Sequence, residues 1–196
     1  MEIYLVRHTS VNAEDKKRCY GFSDVSLAPT FQEEIANTIG KLSIEIQQDT
    51  LLFSSPLSRC MTLAQGIQQA FSIEKITEDE RLKEMNFGDW EGLFWSDIPE
   101  EVTMPWMQDF VNVPTPNGEN FVALATRANA FWQEITARYS AKQQIVVTTH
   151  GGVIRSMISS LFEMELKNAF RFEISYGSIT KISIRHGIPK VEYLNK

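Results

Sequence analysis

The stretch Ile3-Tyr4-Leu5-Val6-Arg7-His8 decides how this chain folds: four consecutive apolar residues stop abruptly at two polar ones. A run without polar alternation suits a strand covered on both faces, as in a parallel sheet between helical layers. Two more runs share the form. Leu51-Leu52-Phe53 breaks at Ser54-Ser55-Pro56, and Ile145-Val146-Val147 runs through Thr148-Thr149 into His150-Gly151-Gly152.

Helical patterns lie between these runs. Thr30 with Glu33 makes a capping-box pattern, followed by Phe31, Ile35, Ile39, Leu42 and Ile46 at helical spacing. Leu57, Met61, Ala64, Ile67 and Phe71 form a second apolar face, Phe121, Leu124, Ala128, Phe131, Trp132 and Ile135 a third, and Ile154, Met157, Ile158, Leu161 and Phe162 a fourth. Strands alternating with helices predict an α/β fold: a three-layer αβα sandwich on a mostly parallel, doubly wound sheet, with ligands at the carboxyl ends of the strands. Residues 170–175 and 178–185, separated by Tyr176-Gly177, read as a hairpin, and a last strand near 191–194 completes an antiparallel edge. Residues 86–118 break the rhythm with four prolines and six aromatics, so they are expected to form a helical lid inserted in one domain spanning 1–196.

The chain has 196 residues, 43% hydrophobic and 22% charged, the balance of one globular domain and not of a disordered tail. A net charge of −6 repels nucleic acid and anionic lipid, so neither is expected as a partner, and an anionic substrate needs a local positive pocket. The N-terminus carries no signal-like apolar segment, which makes the cytoplasm the expected compartment. Cys19 and Cys60 belong to no ligand cluster and read as two reduced thiols.

The three strand ends together deliver Arg7 and His8, the turn from Ser54 to Arg59, and His150 before Gly151 and Gly152. Arginine grips phosphate oxygens with a fixed fork of donors, and a helix start such as the one after His150 adds backbone N–H groups and a favourable dipole. Two arginines and two histidines therefore predict a phosphoryl pocket. A neutral imidazole can attack phosphorus and divide one displacement into two easier ones. Beside Arg7, Arg59 and a charged His150, protonation of His8 is disfavoured and its lone pair is available near neutral pH. The leaving alcohol needs a proton, and Glu84, in Leu82-Lys83-Glu84-Met85-Asn86-Phe87-Gly88-Asp89-Trp90-Glu91-Gly92, is the expected general acid, with Glu91 in a turn or supporting role.

Four blocks in order carry a resemblance: Leu5-Val6-Arg7-His8-Thr9, Ser54-Ser55-Pro56-Leu57-Ser58-Arg59-Cys60, Glu84 in its Phe-Gly-x-Trp-Glu-Gly context, and Thr149-His150-Gly151-Gly152-Val153-Ile154-Arg155. Together they resemble the histidine phosphatase superfamily, phosphoglycerate mutase-like branch, over about residues 3–155. The resemblance implies His8 as the phosphorylated residue, Arg7, Arg59 and His150 as the phosphate pocket, Glu84 as proton donor, and no metal or other cofactor. It also places Tyr20 and Gly21 near a small phosphomonoester substrate. Gly118-Glu119-Asn120-Phe121 followed by Arg127 fits as well.

Within the superfamily the stretch from Cys19 to Phe31 is most similar to the α-ribazole phosphatases of cobalamin synthesis, which remove the 5′-phosphate of a benzimidazole riboside. Trp90, Phe94, Trp95, Trp106 or Phe110 would then cover the flat ring, or else pack the lid onto the body. Two positions depart from the pattern: Thr9 stands where the family has Gly, and Glu14 where mutases carry a phosphate-binding Asn. A broader sugar or nucleotide phosphatase, a phosphoglycerate mutase-like phosphotransferase and a non-catalytic phosphate-binding module are the alternatives. No Gly-x-Ser-x-Gly elbow supports a serine hydrolase, two arginines disfavour a zinc site, and His186 reads as a surface turn residue.

Overall fold

A computed structural model describes residues 1–47 and 49–196. Within them, β1 (Glu2–Arg7), β2 (Leu51–Ser54), β3 (Ile76–Glu78), β4 (Gln144–Thr149), β5 (Ile179–Arg185) and β6 (Ile188–Tyr193) form one sheet in the order β3-β2-β4-β1-β5-β6. The first four strands run parallel, and β5 and β6 are antiparallel. The helices are α1 (Phe31–Leu42), α2 (Ser58–Phe71), α3 (Glu100–Gln108), α4 (Phe121–Arg138) and α5 (Gly151–Leu161).

The unbroken apolar runs have the predicted cause. Ile3 and Leu5 with Ile145 and Val147 face one side, where they pack with Leu124 and Phe131 of α4 and Ile154 and Ile158 of α5. Tyr4, Val6, Leu52 and Val146 face the other and meet Leu42 of α1 and Leu63 and Ile67 of α2. Successive strand residues alternate sides, so a strand between two helical layers must be apolar at every position. Each such fully buried aliphatic side chain contributes about 1.5–3 kcal/mol.

Three expectations need correction. The hairpin lies one turn later, joining β5 and β6 through His186 and Gly187, both with positive φ (54° and 79°), as a tight primed turn requires. Residues 172–175 are not a strand; they follow a 3-10 turn, Leu166–Arg171, and lead into β5. The start of α1 has no capping box: Thr30 Oγ1 donates to Glu34 at 2.7 Å, not to Glu33, and Glu34 also accepts from the backbone of Ser10. The short strand β3 carried no readable apolar run.

Residues 86–118 hold two 3-10 turns and α3, which contains Pro105. Their base is pinned. Glu119 N donates to Asn86 O, Asp89 N donates to Pro116 O, and Gly88 (φ 55°) sits where a Cβ would lie 2.1 Å from Pro116 O. No helix among the described residues is long and apolar enough to cross a membrane.

Candidate active site

Strand register assembles the site. Arg7 pairs with Thr149 and Ser54 with Thr148, so the residues just past β1, β4 and β2, namely His8, His150 and Ser55, emerge side by side. Of these only His8 faces a cavity of about 350 Å³, which Arg7, Arg59 and Glu84 also line. Its outer wall is aromatic, from Phe87, Trp95, Trp106, Phe110 and Phe121.

His8 is buried, and its Nδ1 lies 2.8 Å from the carbonyl of Thr9. That contact puts the ring proton on Nδ1 and leaves Nε2 as a lone pair with no protein partner among the described residues. Burial first, then Arg59 and Arg7, hold the imidazole well below its ordinary pKa, so it is neutral at pH 7. Thr9, in place of glycine, therefore serves through its backbone; its side chain is fully buried.

Arg59 is fully buried in the first turn of α2, its Nη1 and Nη2 donating to Ser23 O (2.8 Å) and Gly21 O (2.6 Å). Its Nε donates to His150 Nδ1 at 3.3 Å, which fixes the proton of His150 on Nε2, 2.9 Å from Ser55 Oγ. His150 does not carry the charge expected of it: burial and Arg59 hold it well below its ordinary pKa. Nor does it line the cavity. Its ring meets His8 edge-on at 5.1 Å and packs against it from outside the cavity. Cys60, with Sγ 3.3 Å from His150 Nε2, is buried and its thiol is pushed up by burial, so it fills space beside the imidazole as a neutral group.

The Glu84 carboxyl lines the cavity and accepts from the backbone N–H of Met85 (3.1 Å) and of Gly152 (3.0 Å) in the first turn of α5. A Cβ on Gly152 would come within 2.3 Å of it, so the glycine admits the acid. Arg127 fixes the loop that carries Glu84: its guanidinium donates to the carbonyls of Arg81, Lys83 and Glu84 and pairs bidentately with Glu119. Glu91 is a clamp and does not reach the cavity. Its carboxylate accepts from the backbone N–H groups of Gly21, Phe22, Ser23 and Phe87 at 2.9–3.0 Å, and although burial pushes it up, these bonds hold it below the usual carboxylate range.

Tyr20 lines the cavity, whereas Gly21 contributes its carbonyl to Arg59 and packs so tightly that a Cβ would lie 1.6 Å from Met85 O. Glu14 lies outside the cavity, paired with Lys17 at 3.1 Å. Of the five aromatics named from sequence, Trp95, Trp106 and Phe110 line the cavity; Trp90 is buried with Cys19 and Ile98, and Phe94 stacks under Arg18. Sequence reasoning missed Tyr176, whose ring covers the Arg7 guanidinium at 3.9 Å and meets His8 at 5.4 Å while its hydroxyl bonds Tyr20 at 3.0 Å.

A buried neutral imidazole among arginines at the ends of parallel strands, with a carboxylate across the cavity, is the arrangement of a phosphoryl-transfer enzyme. The chain belongs to the histidine phosphatase superfamily (branch 1), whose model matches residues 3–196. It is 27% identical over 198 residues to the adenosylcobalamin/alpha-ribazole phosphatase of Salmonella typhimurium, covering 100% of this chain and 96% of the relative. It is also 27% identical over 197 residues to a putative phosphoserine phosphatase 2 of Hydrogenobacter thermophilus, covering 99% and 95%. The crystal structure of the alpha-ribazole phosphatase from Shigella flexneri superposes with a TM-score of 0.90 at 24% identity over 100% of this chain and 96% of that one, which establishes the shared fold.

Proposed function

We propose that this protein is a phosphomonoesterase working through a phosphohistidine on His8, with α-ribazole 5′-phosphate as its substrate. The observation that carries the reading is the hydrogen bond from His8 Nδ1 to Thr9 O, which leaves Nε2 as a neutral lone pair between Arg7 and Arg59. Nε2 attacks phosphorus, and the P–O ester bond breaks as Glu84 gives its proton to the leaving oxygen. Arg7, Arg59 and the N-terminus of α5 at Gly151 bind the charge on the phosphoryl oxygens. Glu84, now a carboxylate, takes a proton from water as that water attacks the phosphohistidine, so His8 returns neutral and inorganic phosphate leaves. His150 acts through His8 and Arg59.

The aromatic wall supports the α-ribazole assignment, since Trp95 and Trp106, stacked with centroids 6.0 Å apart, give a flat apolar surface opposite the phosphoryl end. Residues 86–118 are then the lid that covers a benzimidazole riboside, in one cytoplasmic domain acting on a small molecule. The equal identity to a relative named for phosphoserine favours a second reading, the same chemistry on a smaller acidic phosphomonoester. Comparing kcat/KM for α-ribazole 5′-phosphate with that for phosphoserine, nucleotides and sugar phosphates, with chelator present, separates them. A preference of about 100-fold, roughly 3 kcal/mol of transition-state discrimination, supports the narrow assignment; a flat profile rejects it.

A further inference from the structure

Arg155 lines the same cavity as Arg7, His8 and Arg59, and the reaction as derived above does not use it. Only its inner edge is engaged: Nε donates to Phe172 O at 3.0 Å, and its guanidinium carbon lies 5.1 Å from the centre of the Phe170 ring. Among the described residues neither Nη has a hydrogen-bond partner, and no carboxylate lies within ion-pairing distance. Nη1 lies against the first turn of α5, 2.7 Å from where a Cβ on Gly151 would be.

Arg7 converges on the same point, its Nε and Cζ lying 3.4 and 3.5 Å from it, and that Nε is itself buried and has no hydrogen-bond partner among the described residues. Two guanidinium groups thus meet over Gly151, Arg7 engaged through Nη1 with Ile174 O and Arg155 through Nε with Phe172 O, each keeping N–H donors that have no partner among the described residues. Burial and Arg7 act against the charge of Arg155, and Glu84 and Glu173 act for it by less. Like charges held this close at a helix N-terminus, with donors directed at one point, are the chemistry of an anion-binding site.

Resting on the phosphatase reading, we infer that Arg155 is a substrate-binding residue that holds, together with Arg7, a non-bridging oxygen of the phosphoryl group over Gly151. An anionic oxygen could also come from an acid on the leaving group. The phosphoryl source is favoured because Arg155 Nη1 and Arg7 Nε meet over the first turn of α5, although the Arg155 guanidinium also rests on Phe170, which packs against the aromatic wall.

The test uses the full chain with Arg155→Gln and Arg155→Lys. Inorganic phosphate and orthovanadate binding are measured by calorimetry, and kcat/KM is measured on p-nitrophenyl phosphate, with a neutral leaving group, and on phosphoserine, with an acidic one. Losing a charge-assisted pair predicts that Arg155→Gln weakens phosphate and vanadate about 10- to 100-fold and lowers kcat/KM by a similar factor on both substrates. Arg155→Lys keeps the charge and the aliphatic stem, so it should fold like the wild type and recover part of the loss. Unchanged phosphate binding with a penalty confined to phosphoserine overturns the phosphoryl assignment and makes Arg155 a reader of leaving-group acid. No change in either assay removes Arg155 from the substrate site. Because phosphate binding is read without turnover, Arg155-dependent binding in a protein that hydrolyses nothing would refute the proposed function and leave this inference standing.

Discussion

Two of the three histidines are buried neutral beside arginines, which predicts a specific acid sensitivity. The unfolded chain binds protons on His8 and His150 as pH falls below their ordinary value of 6.5, whereas burial and the Arg59 charge keep the folded rings neutral to well below it. The stabilising term is therefore fully present above that value and is lost as pH falls through the window beneath it. Each proton taken up only by the unfolded state costs about 1.4 kcal/mol per pH unit. With two rings the loss approaches about 2.7 kcal/mol per pH unit below 6.5 for as long as the folded rings stay neutral, a large share of a typical 5–15 kcal/mol stability. Denaturant unfolding at pH 7 and pH 5, on the wild type and on His8→Gln/His150→Gln, isolates this term from the carboxylates, which both proteins share. The double variant should lose much less stability than the wild type. Equal losses would refute the reasoning, as would ring proton resonances of His8 and His150 that titrate near 6.5.

Further outcomes follow from individual contacts. His8→Ala should abolish turnover while leaving the thermal transition in place; residual activity above about one part in a thousand of wild type would exclude the nucleophile assignment. Glu91→Gln keeps one oxygen, leaves two of four part-buried backbone N–H groups without an acceptor, and should lower unfolding free energy by about 2–3 kcal/mol and raise KM, measured by urea melts and steady-state kinetics. Gly21→Ala drives a methyl into the Met85 carbonyl and must shift the strand of loop that holds Arg59, so kcat/KM should fall at least about tenfold. Tyr176→Phe keeps the ring over Arg7 and should stay within about threefold of wild type, while Tyr176→Ala, losing the cation–π contact, should drop about tenfold in kcat/KM.

What could be read from the residues, and what could not, follows from range. Arg7, His8, Arg59 and His150 were legible because each directly follows an unbroken apolar run or opens the next helix, and parallel register alone brings such ends to one level. Glu84 was legible only through its flanking pattern. Its placement depends on Arg127, which grips three carbonyls more than forty residues upstream, and no local periodicity encodes that. Tyr176-Gly177 is the turn its sequence suggests, but no local pattern tells where a turn side chain points: Gly177 N donates to the carbonyls of Arg7 and His8 and so lays Tyr176 on both side chains.

Arg155 had a signal that went unused. It stands four residues after Gly151, one helical turn on the same face, so any helix that points Gly151 at the pocket also points Arg155 there. The pair also explains why a glycine is needed at that turn: a side chain at 151 would occupy the gap in which Arg7 and Arg155 converge, and the cation cluster could not form. The glycines of this motif thus act by absence, Gly151 admitting two arginines and Gly152 admitting Glu84. In a chain of net charge −6, five cations, Arg7, Lys16, Arg18, Arg59 and Arg155, line one cavity with Glu84 as the acid among its described lining residues, which gives that cavity the local positive field an anionic ligand needs.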